Sequence, residues 1–123
     1  MYLTHAELCA KYLLPYSGVS YLYDKDKGYI VWRRGTGDNV ELLHIRTFEH
    51  RKGYAKELVK AMLNQLVYKP PYYSVFGFGI LRGELDEIYM ALGFRVIPIP
   101  GPTKSEGILF WQSFEKLRAK YGV

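Results

Sequence analysis

Residues 43–58 read LHIRTFEHRKGYAKEL, and the two halves of this stretch follow different rules. The first half continues a run rich in β-branched and apolar residues, which predicts a strand. The second opens an amphipathic helix from Arg51 to about Tyr68, with Ala55, Val59, Met62, Leu63 and Leu66 on one stripe and Glu57, Lys60 and Asn64 opposite. Gly53 falls in what reads as the helix's first turn, a poor place for so helix-averse a residue, and basic side chains crowd around it. One physical answer is an anion. The unpaired N–H groups and positive dipole end of a helix favour phosphate, and a glycine lets the ligand come close to the backbone.

Working outward, GVSYLY (18–23), GYIVWRR (28–34) and VELLHIRTF (40–48) predict three strands. DKDKG (24–28) joins the first two as an antiparallel hairpin, and GTGDN (35–39) makes the next turn. THAELCAKYLL (4–14) carries Thr4 and Glu7 at capping-box spacing and predicts a short helix before them. Pro70 and Pro71 stop the central helix, and YYSVFGFGI (72–80) follows as a buried strand. A second short helix fits Glu84–Leu92 with Gly93 ending it. FRVIPIP (94–100) and ILFWQSF (108–114) predict two more strands, and EKLRAKYGV (115–123) a polar helix or frayed tail. The order predicts one domain over residues 1–123, of mixed α/β class. A strand–helix–strand passage across 40–80 places a parallel βαβ unit inside a mostly antiparallel sheet with flanking helices.

The 123 residues are 49% hydrophobic, as one globular core requires, and the formal charge is +5. With a pI near 9.3 this favours anionic partners, without deciding between nucleotides, nucleic acid and acidic protein. Cys9 is the single cysteine, so no intramolecular disulfide is available. Three histidines and one cysteine show no metal-ligand spacing, and no metal is expected. The start lacks the pattern of a signal peptide, and no apolar run reaches the roughly 18 residues of a membrane helix. A cytoplasmic protein without membrane contact is expected.

LHIRTFEHRKGYAKEL, followed by IYMALGF (88–94), resembles the GNAT superfamily of acetyl-CoA-dependent N-acyltransferases. The family's pyrophosphate loop, (Arg or Gln)-x-x-Gly-x-(Gly or Ala), is met by His50-Arg51-Lys52-Gly53-Tyr54-Ala55, with histidine as the one departure. The family's Tyr four residues before Gly-Phe is met by Tyr89, Gly93 and Phe94. Together the motifs span about residues 39–95. The resemblance implies a single GNAT-like sheet domain and acetyl-CoA as co-substrate. It implies that N–H groups from Arg51 through Gly53, Tyr54 and Ala55 to Lys56 cradle the coenzyme phosphates, with Arg51, Lys52 and Lys56 adding charge. Arg82 stands near the place of the family's asparagine before the second helix, reaching the coenzyme or only solvent. The backbones of Leu43 and Ile45 would hold the pantetheine arm and the acetyl carbonyl.

Period-two alternation places Asn39, Glu41, Leu43 and Ile45 on one face of the third strand and His44 on the other. Glu41 occupies the position where the serotonin N-acetyltransferases carry a histidine base, which makes it the candidate base; a merely salt-bridged glutamate is the plainer alternative. Tyr89 is the candidate proton donor to the leaving thiolate, and His44 reads as a core histidine. His5 and Cys9 have no partner signature. The activity implied is direct acetyl transfer, in a ternary complex, to the primary amine of a small molecule, a protein or, less favoured, a modified base; a homodimer is left open. The competing reading is a non-catalytic coenzyme A- or nucleic-acid-binding member of the same fold, using Tyr16, Tyr23, Trp32 and Trp111 as exposed aromatics.

Overall fold

The computed structural model describes residue 7 and residues 19–35, 37–49, 53–67, 72–79, 84–99 and 107–123. The helix expected over 4–14 lies outside them except for Glu7, which is helical. The elements are β1 (Val19–Asp24), β2 (Gly28–Arg34), β3 (Asn39–Thr47), α1 (Tyr54–Leu66), β4 (Ser74–Gly79), α2 (Glu84–Ala91), β5 (Arg95–Ile99), β6 (Gly107–Ser113) and α3 (Phe114–Tyr121). The C-terminal segment is thus a helix and not a frayed tail. Ser113 caps it, its Oγ accepting from the Lys116 N–H at 3.2 Å.

The strands form one sheet in the order β1-β2-β3-β4-β6-β5. Every pairing is antiparallel except β3 with β4, so the parallel βαβ unit lies at the centre, as the sequence predicts. The β1–β2 turn is fixed by the Asp24 carboxylate, which accepts from the N–H groups of Asp26 and Lys27 at 2.8 and 3.2 Å. One sheet face, here called the helix face, carries Ile30, Trp32, Val40, Leu42, Val75 and Phe110 into a core completed by α1, α3 and the end of α2. From α1 the core takes Leu58, Val59, Met62, Leu63 and Leu66, while Glu57, Lys60 and Asn64 are exposed. Each fully buried aliphatic side chain of that stripe is worth about 1.5–3 kcal/mol. The opposite, far face has a smaller cluster in which Tyr29 and Val31 are buried against Tyr21, Leu43 and Phe48.

Two irregularities shape the sheet's middle. Between β2 and β3 the register shifts, so that Val31 pairs with His44 but Trp32 with Leu42, leaving Leu43 as the extra residue of a bulge. Between β3 and β4 the ladder runs only from Asn39–Ser74 through Glu41–Phe76, after which the two strands part. The closed end is stitched by Ser74 Oγ donating to Asn39 Oδ1 at 2.7 Å and by the Tyr73 N–H donating to the Asp38 carbonyl at 2.9 Å.

Gly77 occupies the start of the gap. A Cβ built there would lie 2.6 Å from the Leu42 carbonyl oxygen and 2.2 Å from Cζ of Phe110. Neither neighbour is the loose end of a flexible chain, so only glycine lets β3 and β4 come this close before separating. Gly77→Ala is expected to lower unfolding free energy by about 1–3 kcal/mol as the strands or the Phe110 ring give way. An unchanged urea midpoint would show that the strands there are not tightly apposed.

Candidate active site

Helix α1 begins at Gly53, which is its N-cap, one step outside the first turn in which the sequence placed it. Its φ of 74° is left-handed, and among the described residues no side chain caps the helix start. Glycine adopts this conformation freely, whereas other L-residues pay about 1–2 kcal/mol. Among the described residues, no heavy atom lies within 4 Å of where a Gly53 Cβ would stand. Packing among the described residues therefore does not require glycine here; the backbone conformation does. Lys56 is exposed in the first turn. Glu57, also in that turn, is paired to Lys27 of the β1–β2 turn at 3.6 Å, which sets a cation against the first-turn carboxylate.

Along β3 the bulge changes the alternation. Val40, Leu42 and Ile45 all pack on the helix face, while Leu43 joins the far-face cluster. His44 stacks on Tyr29 of that same cluster, ring centroids 5.4 Å apart and planes at 21°. The expected shared face of Asn39, Glu41, Leu43 and Ile45 is therefore corrected: Ile45 is on the other side, and His44 has moved to the side of Glu41. A simple period of two fails because the extra residue at Leu43 shifts everything after it by one.

Glu41 is registered with Arg33 on β2, and Arg33 Nε donates to its Oε1 at 2.9 Å in a half-buried ion pair. One carboxylate oxygen is thereby oriented. The salt-bridged glutamate weighed in the sequence is present, and it stands at the mouth of the gap, where Glu41 and Phe76 form the last parallel pair.

Tyr89 stands on the opposite side of the sheet. It packs on the helix-face core with its ring stacked on Phe110 at 3.9 Å and 10°, and Phe110 is the ring that covers Gly77. Burial pushes its phenol above the ordinary value, so it holds its proton at neutral pH. The turn after α2 is clamped from two sides. Tyr121 Oη donates to the Leu92 carbonyl at 2.6 Å, and Gln112 Nε2 donates to the Gly93 carbonyl at 3.2 Å.

His50, Arg51, Lys52 and Arg82 lie outside the described residues, as do His5, Cys9 and Tyr16. Of the aromatics considered for nucleic-acid stacking, Trp32 is a core residue at 5% exposure, and Tyr23 and Trp111 are half-buried. Lys27, Arg33 and Gly77 were not singled out by sequence reasoning, because each acts on a residue brought to it by strand pairing or helix packing. Among the described residues no group of three or more His, Cys, Asp and Glu side chains could hold a metal ion, and no helix is long and apolar enough to cross a membrane.

No family model and no curated protein sequence matches the chain. Solved structures do. A protein assigned to the GNAT family from Desulfovibrio desulfuricans superposes with a TM-score of 0.72 at 15% identity, over 89% of this chain and 78% of that one. Arabidopsis thaliana NAA60 in complex with acetyl-CoA matches at TM-score 0.65 and 14% identity, over 93% and 86%. The ribosomal-protein-S18-alanine N-acetyltransferase from Escherichia coli matches at 0.61 and 13%, over 93% and 92%.

The chain has the GNAT fold. Through Phe110 and Gly77 the aromatic stack under α2 reaches the point where β3 and β4 part, and the two sides of the sheet carry different side chains there. Glu41 faces one way and Tyr89 the other.

The clamp on α2 gives a test at high pH. Burial raises the Tyr121 phenol to about 12, above the ordinary 10, so the folded state keeps a proton that the unfolded chain loses. That contribution to stability is complete below pH 10 and is lost as pH rises from 10 through 12. Tyr121→Phe is expected to cost about 1–2 kcal/mol at pH 8, by leaving the Leu92 carbonyl without its donor. It should also flatten the alkaline fall in urea stability. Parallel pH curves for parent and variant would show that Tyr121 does not hold the turn.

Proposed function

We propose that this chain is a GNAT-superfamily N-acetyltransferase that moves the acetyl group of acetyl-CoA to a primary amine. The observation that carries this reading is the gap between β3 and β4, opening beside a helix that starts on a left-handed, uncapped glycine. Parallel neighbours normally continue their ladder, and strands that part leave backbone donors and acceptors to be met by something else. An extended, amide-bearing arm ending in a thioester suits such a gap. The phosphates attached to that arm suit the first-turn N–H groups of Tyr54, Ala55 and Lys56. The backbones of Leu43 and Ile45 then lie along the arm, and Lys56 adds charge for its phosphates, as Arg51 and Lys52 do in the loop motif.

An alkyl ammonium of pKa ~10.4 is neutral in only about one molecule in a few thousand at pH 7. In the proposed reaction Glu41 takes the ammonium proton, directly or through a water, with Arg33 fixing the carboxylate. The amine lone pair forms a bond to the thioester carbonyl carbon. Backbone groups of the β3 bulge polarise the carbonyl oxygen as charge develops on it. The carbon–sulfur bond then breaks, Tyr89 gives its phenolic proton to the departing thiolate, and the acylated nitrogen releases its second proton to water, from which the phenol is restored. Base and acid work from opposite sides of the sheet, and holding amine and thioester together in one ternary complex supplies much of the remaining acceleration.

Gly53→Glu should abolish acetyl-CoA binding in calorimetry, because it places bulk and negative charge where phosphates would sit. Gly53→Asn carries the same left-handed backbone without the charge and separates this from backbone strain. Equal affinity in the Glu variant and the parent would overturn the phosphate site. For the chemistry, Glu41→Gln is expected to keep coenzyme affinity yet lose about 10²–10⁴-fold in rate at neutral pH, with relief as pH rises. Tyr89→Phe should lower kcat at every pH below the phenol's titration. A pH–rate profile identical to the parent's would remove the residue concerned from the mechanism.

A further inference from the structure

The far face of the sheet next to Glu41 carries an apolar floor that neither sequence motif covers. Residues directly opposite in neighbouring strands share a face, so the register fixes its members. One row runs Glu41–Phe76–Trp111–Arg95 across β3, β4, β6 and β5, and the next runs Phe78–Leu109–Ile97. Their neighbours in sequence, Val75, Ile108 and Phe110, are buried, the first and last in the helix-face core, which puts these two rows on the other side. Phe78 is 59% exposed and Ile97 45%, and the rings of Phe76 and Phe78 meet edge to face at 6.0 Å. The Arg95 guanidinium lies 5.4 Å over the Trp111 ring and closes the floor at its far side.

We infer that this floor receives the substituent of the acceptor amine, and that the acceptor is a small primary amine carrying one apolar or aromatic group and no second positive charge. The inference rests on the acetyltransferase reading for the position of the amine. Three observations point to this occupant. The floor begins at Phe76, the register partner of Glu41 at the mouth of the gap, so an amine held at Glu41 has its substituent over Phe76 and Trp111. Its extent, three strands by two rows, is roughly 10 Å by 7 Å, the size of one aryl group and short of a peptide. Arg95 at the far end repels a second ammonium and stabilises the Trp111 face against it.

The test uses the whole chain with acetyl-CoA. Coenzyme release is followed with 2-phenylethylamine, ethylamine and 1,4-diaminobutane, and calorimetry measures 2-phenylethylamine binding to the coenzyme A-loaded protein. The parent is expected to favour 2-phenylethylamine over 1,4-diaminobutane by at least about tenfold in kcat/KM. Phe78→Ser, at an exposed position, should cut the preference for 2-phenylethylamine over ethylamine about tenfold through KM, with acetyl-CoA affinity unchanged. Arg95→Glu should raise relative turnover of the diamine. An unchanged amine preference in Phe78→Ser overturns the inference, all the more if that variant alters the sedimenting mass, which would make the floor a contact between copies. No binding and no turnover of the aromatic amine also overturns it. Binding that is lost in Phe78→Ser but never accompanied by turnover would leave the floor standing and sink the acetyltransferase reading instead.

Discussion

The parting of β3 from β4 is the constraint on which the rest depends. Two parallel strands held together by three register pairs and then separated form a wedge. Each nearby feature is needed to make that wedge stable. Side chain and backbone bonds at Asn39, Ser74, Asp38 and Tyr73 hold the narrow end. Gly77 allows the last close approach, with the Phe110 ring and the Leu42 carbonyl filling the place a side chain would take. Beyond that point β4 keeps its antiparallel partner β6, so its outer hydrogen bonds are satisfied on one side while the other side opens.

The wedge also divides the chemistry. A planar sheet would bury Glu41 and Tyr89 on separate faces with no common access. An opening between two strands lets one small group be reached from both. The two side chains have unlike surroundings: a half-buried ion pair for the carboxylate, and an apolar aromatic stack for the phenol.

Most of the fold was legible because its signals are local. The stripe of Val59, Met62, Leu63 and Leu66, the Asp24 turn and the β-rich runs each report their own structure within a few residues. The order of those runs then required a parallel crossover. The candidate site was legible where a motif names a backbone conformation, as at Gly53 and at the end of α2. It was not legible where strand pairing sets the answer. The bulge at Leu43 follows from how β2 and β3 mesh, and nothing in VELLHIRTF marks it, so the side to which His44 and Ile45 turn was misread. Arg33 is eight residues from Glu41, and only the hairpin register makes them partners. Gly77 in SVFGFG looks like any strand glycine until Phe110 arrives from the far end of the chain.

Among the described strands β5 pairs on one side only, and its exposed Ile97 and Ile99 flank Pro98. An edge strand with apolar side chains is a template on which other chains can polymerise. Proline withdraws a backbone donor from the middle of that template, and Arg95 places a charge at its start. The floor can therefore stay apolar while the strand that borders it resists recruitment into fibrils, and replacing Pro98 would expose the cost of having one without the other.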